Sequence, residues 1–251
     1  VLEALRKGFT EIGFSAHLPK VKDPDPYHAM LESDLPAYVD LVLSLRSKYE
    51  GRITIKLGTE ADYFEGYEEE TRRLIEKHPF DYVFGSVHFI GDWHFTSRAG
   101  LDRYKTEDPD TAYREYFSIV EKMIGSGLFD IVAHPDAIYR DGFKPGYSLR
   151  REYRRVAAMI GEMDMAVEVN TGGIRRGAGS VYPTRQFLET CIEHGLPLIL
   201  GSDAHAPVDV GRDFDKALKL LKGLGVSEIS TYQRRKRKSR PLPDHIVPDE
   251  S

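Results

Sequence analysis

LILGSDAH, residues 198–205, is an apolar run that closes on two metal-capable side chains, Asp203 and His205. Five earlier runs end in the same manner: EIGFSAH (11–17) at His17, ITIKLGTEAD (53–62) at Glu60 and Asp62, DYVFGSVH (81–88) at His88, DIVAHPD (130–136) at His134, and AVEVNTGG (166–173) at Asn170. One run ending in histidine is weak evidence, because a satisfied core or loop histidine is the commoner explanation. Six in order form a pattern. When strands alternate with helices in a parallel sheet or barrel, the C-terminal strand ends share one face, and active sites are assembled there from the loops. The runs therefore predict an α/β fold with one pocket lined by oxygen and imidazole ligands.

Helical patterns fill the gaps between the runs. Residues 33–51 place Leu35, Val39, Leu43 and Leu45 at helical spacing and stop at Gly51, where glycine suits the left-handed helix end. Asp108-Pro109 opens another helix, with aspartate to cap free amides and proline preorganised for the first turn. Tyr113, Tyr116, Phe117, Val120 and Met123 form its apolar stripe. Before the first run, VLEALRKG (1–8) reads as the second half of an amphipathic helix with Val1, Leu2 and Leu5 on one side, so a helix start and one strand are expected upstream. The proline-bearing segment 18–30 is long enough to act as a flap over the pocket.

A chain of 251 residues can be one barrel-sized domain. We read 1–225 as the barrel core and 226–251, with the basic run QRRKRKSR and His245, as a last strand or irregular solvated tail. The net charge of −5 gives no reason to invoke a nucleic-acid surface, and no run approaches the roughly 18 apolar residues of a membrane span. The lone cysteine, Cys191, sits on a helical pattern as a packing residue and excludes a disulfide framework. Without a signal-peptide pattern the expected location is cytoplasmic.

Neutral imidazole together with carboxylate suits zinc, manganese or iron, whereas an all-oxygen set would suggest magnesium or calcium. Asp203 and His205, two apart, are expected to point the same way and serve adjacent metals. Glu60 could bridge two ions with its two oxygens. Bridged ions activate water and clamp phosphoryl groups, so hydrolysis of a phosphate ester is the expected reaction. Phosphate needs cations as well, and guanidinium forks match its oxygens; Arg175 or Arg176, following NTGGI, and Arg140, following VAHPDAIY, are the candidates. Asn170 is a poor metal ligand and is expected to hydrogen-bond substrate or to support a ligand. Asp62, Tyr63, Trp93 and Asp136 could hold a polar leaving group. His28, His78, His94 and His194 lie away from strand ends and are read as structural.

The motifs FSAH, GTEAD, FDYVFGSVHFI, VAHPD, VNTGG and GSDAH, in this order over residues 1 to 225, resemble the successive motifs of the PHP (polymerase and histidinol phosphatase) family. FDYVFGSVHFI followed by NTGGIRR and GSDAH is similar to its histidinol-phosphatase branch. The resemblance implies a distorted (β/α)7 TIM-like barrel holding two to three divalent ions (zinc, manganese or iron). On that pattern His17 and His205 share one metal, Glu60 bridges two, His88 and His134 complete the other side, and Asp203 binds a metal and orients water. The implied activity is hydrolysis of L-histidinol phosphate to L-histidinol and phosphate in histidine biosynthesis, through attack of a metal-bound hydroxide on phosphorus. Catalytic weight would fall on Asp203 and Glu60.

Two departures qualify it. The family's opening strand, with its D-x-H-x-H motif and a further histidine, is not in this sequence, which fits the helix start and strand expected upstream; were Val1 the true start, the first barrel strand would be missing and metal binding is expected to be weak. Ala16 stands where relatives often carry aspartate. The rival readings are a PHP-type phosphoesterase acting on another small phosphate or a nucleic-acid end, an inactive truncated barrel kept as a binding module, and an amidohydrolase.

Overall fold

The structure, a computed structural model, describes residues 1–140 and 142–243; His245 lies outside them. In chain order the elements are α1 (Leu2–Arg6), β1 (Glu11–Phe14), α2 (Leu35–Lys48), β2 (Thr54–Asp62), α3 (Glu68–Glu76), β3 (Tyr82–Ser86), the short pair β4 (Phe89–Ile90) and β5 (Trp93–His94), α4 (Pro109–Gly125), β6 (Ile131–Val132), α5 (Arg150–Glu162), β7 (Ala166–Asn170), α6 (Arg185–Glu193), β8 (Leu198–Gly201), α7 (Phe214–Gly223), β9 (Glu228–Gln233) and β10 (Lys236–Pro241). Strands β1, β2, β3, β6, β7 and β8 make one parallel sheet in that order. It curls through 250° and stays open, a distorted TIM-like half-barrel. Six of the strands of the expected barrel are thus in place, with β1 and β8 as the edges.

The helices form where the sequence pattern puts them. Asp108 caps α4 by accepting from Thr111 N at 2.9 Å, and Gly51 ends the turn after α2 at φ +76°. Their apolar stripes pack outward from the sheet. Tyr113, Phe117 and Val120 of α4, Tyr153 and Val156 of α5, and Phe187 and Leu188 of α6 are all buried, with Tyr153 stacked on Phe187 at 4.3 Å between centroids. In α1 the expectation fails at Leu2, which is 67% exposed, while Ala4 is the residue turned to the core.

The inner face of the sheet has its own small cluster: Tyr82 and Phe84 of β3, Ile131, Ala133, Ala166 and Tyr232. Tyr82 reaches across two strands. Its hydroxyl donates to Phe14 O at 3.2 Å, and a Cβ at Gly13 or Gly58 would lie 2.2 or 2.1 Å from its side chain. Tyr232 comes from the β9–β10 hairpin, whose hydroxyl donates to Asp130 O at 3.1 Å, so the hairpin plugs the end of the barrel opposite the ligand-bearing strand ends.

The basic run 233–240 spans this hairpin's turn and β10. Arg234 and Arg235 occupy its two central positions at φ +50° and +61°, where asparagine and glycine are usual. Tertiary contacts account for the exception. Arg234 N donates to Asp81 Oδ1 at 3.1 Å, Arg235 N to Asp81 O at 2.8 Å, and the Arg235 guanidinium binds Asp130 at 2.9 and 3.1 Å and Leu128 O at 2.6 Å. Arg235→Ala should lower unfolding free energy by about 2–4 kcal/mol, because it strands a largely buried carboxylate. Arg235→Gly loses the same contacts but accepts the left-handed backbone, and should be milder by about 1 kcal/mol. Urea unfolding of the two variants checks both values.

Candidate metal centre

Most ligand side chains at the mouth are delivered by the ends of strands. Beyond β1 the chain stays extended to His17, which bridges in parallel to Glu60: Glu60 N donates to Ala16 O at 3.1 Å and Leu18 N to Glu60 O at 2.7 Å. Glu60 and Asp62 alternate onto the same inner face of β2. His88 follows β3 and His134 follows β6.

There they meet. The Nε2 atoms of His88 and His134 are 3.2 Å apart, and Glu60 Oε1 lies 3.2 Å from His134 Nε2 and 3.6 Å from His88 Nε2. His88 turns Nδ1 to Asp62 Oδ1 at 2.6 Å, and the other Asp62 oxygen is 2.5 Å from His28 Nε2. The His17 ring sits 4.7 Å from that of His28 and 5.4 Å from that of His88. Two overlapping ligand groups result: Glu60, His88 and His134; and His17, His28, Asp62 and His88.

The donor atoms fit divalent ions. A tetrahedral ion bound at about 2.1 Å holds its ligand atoms roughly 3.4 Å apart, and the three separations around Glu60, His88 and His134 bracket that value. Nδ1 of His17 is buried without a hydrogen-bond partner among the described residues, leaving a nitrogen lone pair available in the second group. The mixture of imidazole and carboxylate suits zinc, manganese or iron.

Electrostatics agree with anionic oxygen ligands. Burial opposes the charge on Glu60, but the imidazoles of His17, His134 and His88 outweigh it and hold its carboxyl well below the ordinary range. Asp62 is lowered in the same way, against burial, by His88 and His28. Burial also opposes charge on His134, yet the Glu60 carboxylate raises its pKa to about 9. At His17 burial wins and the shift is downward.

His88 and His134 line a cleft whose wall is continued by Arg140, Arg176, Asp203 and Tyr182. Asp203 Oδ2 pairs with Arg176 Nη1 at 2.9 Å, and the same guanidinium approaches His205 Nδ1 at 3.2 Å. Arg140 donates to Arg176 O at 3.1 Å and lies over the Tyr104 ring.

The other expected site residues take the following positions. Asp203 and His205 join neither ligand group among the described residues. Asp203 takes φ +49° beyond the end of β8, and its Oδ1 lies 3.4 Å from Nδ1 of the exposed His205, so the two side chains stay side by side on Arg176. Arg175 is committed to the scaffold, donating to Ser202 O at 2.7 Å and pairing with Asp213 at 3.4 Å. Asn170 supports rather than contacts the cleft: it donates to Glu168 Oε2 at 3.1 Å and accepts from Gly172 N at 2.7 Å. Asp62, expected near a leaving group, has both oxygens on imidazoles. Trp93 is buried and donates to Gly100 O, Tyr63 donates to Glu68, and buried Asp136 accepts from Thr184 N at the start of α6.

Two functional candidates escaped the sequence reading. His28 reaches Asp62 from within the irregular 18–30 segment, where no periodicity signals it. Glu168 lies buried behind His134, and burial pushes its carboxyl up to about 7. A charge in the middle of the apolar run AVEVN was the available signal.

Comparison with known proteins agrees with this geometry. The PHP domain family model matches residues 1–172. The "Probable histidinol-phosphatase" of Deinococcus radiodurans is 31% identical over 236 residues, covering 93% of this chain and 88% of that protein. The histidinol-phosphatase of Bacillus subtilis is 28% identical, covering 86% and 90%. Among solved structures, histidinol phosphate phosphatase from Lactococcus lactis, crystallised with zinc, L-histidinol and phosphate, superposes with a TM-score of 0.74 at 22% identity, covering 94% of this chain and 90% of that one. With ordered strand-end ligands, an open parallel half-barrel and a family match over most of its length, this chain belongs to the PHP-domain family, on the branch that carries the histidinol-phosphatases.

Proposed function

We propose that this protein hydrolyses L-histidinol phosphate to L-histidinol and phosphate as a metal-dependent phosphomonoesterase. The observation that carries the reading is the convergence of Glu60, His88 and His134 donor atoms at a cleft that His88 and His134 line together with Arg176 and Arg140. Divalent ions bound at such a centre supply charge that neutralises phosphate oxygens and make water a better nucleophile. Glu60, His88 and His134 would hold one ion, and His17, His28 and Asp62 would hold a second. Arg176 and Arg140 would bind the phosphoryl oxygens in the cleft. Asp203, already on Arg176, would orient the attacking water while keeping the guanidinium aimed inward. The names of the Deinococcus and Bacillus relatives and the ligands of the Lactococcus structure support this substrate.

We read the whole chain as one barrel unit acting on a small molecule rather than on nucleic acid, in the cytoplasm. No helix among the described residues is long and apolar enough to cross a membrane. Phosphate release should be measured from L-histidinol phosphate, a nucleoside monophosphate and a 3′-phosphorylated oligonucleotide, with zinc, manganese or iron(II) supplied. The expected result is a preference for L-histidinol phosphate of at least about 100-fold in kcat/KM, roughly 2.7 kcal/mol. Equal turnover of the three esters would defeat the assignment.

A further inference from the structure

Glu168 belongs to neither ligand group, yet it stands where both walls of the cleft are anchored. On β7 it lies between Ala166 and Asn170 on the inner face of the sheet, and it is 6% exposed. A single oxygen, Oε2, accepts from the backbone N of His134 and from Asn170 Nδ2, each at 3.1 Å. The first bond fixes a residue whose backbone is left-handed, with φ +25°, and whose ring must present Nε2 to His88 and Glu60. The second fixes Asn170, whose Oδ1 holds Gly172 N at the start of the turn Thr171–Arg175 that leads directly into Arg176. The neighbouring strand makes room for this carboxylate: a Cβ on Gly201 would fall 1.9 Å from Glu168 Oε1.

We propose that Glu168 is a positioning residue that sets His134 and, through Asn170, the Arg176 turn, so that one buried carboxylate holds the metal-binding wall and the anion-binding wall in register. The part concerning Arg176 rests on the phosphatase reading; the part concerning His134 does not. Support for a metal-binding histidine from behind is the kind of contact whose loss weakens metal affinity about 10- to 100-fold. Because both bonds end on one oxygen, Glu168→Gln can keep them through its carbonyl, whereas Glu168→Ala removes both.

Zinc titration of the metal-stripped full chain by calorimetry, with no substrate present, is the first arm. Glu168→Ala should bind zinc at least about 10-fold more weakly than the parent chain, and Glu168→Gln within about 3-fold of it. The second arm is steady-state hydrolysis of L-histidinol phosphate. Asn170→Ala, which cuts only the branch to the Arg176 turn, should raise KM several-fold with zinc affinity unchanged. If Glu168→Ala does not fold, the Gln variant and Asn170→Ala still decide the matter. Damage by Glu168→Gln equal to that by Glu168→Ala would overturn the proposal, since it would mean that the charge, not the geometry, is what matters. Parent-like zinc binding by a folded Glu168→Ala, or weakened zinc binding by Asn170→Ala, would overturn it as well. Should no variant or parent hydrolyse the ester, the zinc arm alone judges the His134 role, and only the phosphatase reading falls.

Discussion

Glu60→Gln is expected to reduce phosphate release by about 10³-fold or more while leaving the thermal midpoint within a few degrees of the parent. The activity loss follows from position. Among the described residues Glu60 Oε1 is the carboxylate atom close to both His88 and His134, and the surrounding imidazoles keep it ionised despite burial. Glutamine offers a neutral oxygen at that point and an amide whose N–H groups repel a cation, so an ion shared by these ligands loses its anionic partner. Each lost 1.4 kcal/mol of transition-state stabilisation is tenfold in rate, and removing an ionised metal ligand readily accounts for about three such factors. The fold should tolerate the change, because the bonds that tie Glu60 to the strand beside it are made by its backbone, to Ala16 and Leu18. Phosphate-release kinetics, metal content by elemental analysis and a melting curve on the same preparation test all three statements. A variant that keeps its metal and half its rate would remove Glu60 from the centre of the mechanism.

The adjacent arginines should separate cleanly. Arg176→Ala is expected to raise KM for L-histidinol phosphate by about 10- to 100-fold, the range for losing one charge-assisted contact to phosphate, with little change in unfolding free energy. Arg176 is half exposed, lines the cleft, and among the described residues pairs with the Asp203 carboxylate while approaching His205. Arg175→Ala should do the opposite, lowering stability by about 1.5–3 kcal/mol with a smaller effect on KM. Its guanidinium ties the turn after β7 to Ser202 O after β8 and to Asp213 ahead of α7. Steady-state kinetics and chemical unfolding of both variants give four numbers. Matching losses from the two substitutions would show that the pair acts as a unit.

Much of the architecture was legible because it rests on local signals. Apolar runs ending in polar groups marked the six parallel strands, the Asp108-Pro109 start fixed α4, and the shared strand-end face brought His17, Glu60, His88 and His134 together. What was not legible depends on backbone conformations that spacing does not encode. Counting by twos past β8 assumes extended chain, and Asp203 at φ +49° departs from it, so that Asp203 and His205 meet each other on Arg176 rather than on the other ligands. His28 arrives from an irregular segment and Glu168 from the middle of a strand; neither occupies a place that a strand-end rule examines. The hairpin was hidden for a similar reason. Its Arg234-Arg235 turn contradicts ordinary turn preference and is intelligible only once Asp81 and Asp130 are seen beneath it.

The ring of Tyr82 lying over Gly13 and Gly58 carries a consequence for how sequences of this kind can change. While the tyrosine is present, any side chain at either glycine collides with it, so mutations at 13 and 58 are closed paths. If position 82 first becomes small, space opens on the floor of the barrel, and bulk at 13 and 58 turns from a clash into a repair of the cavity. The three positions therefore have a permitted order of descent, with 82 first, and a lineage that has crossed it cannot readily restore the tyrosine.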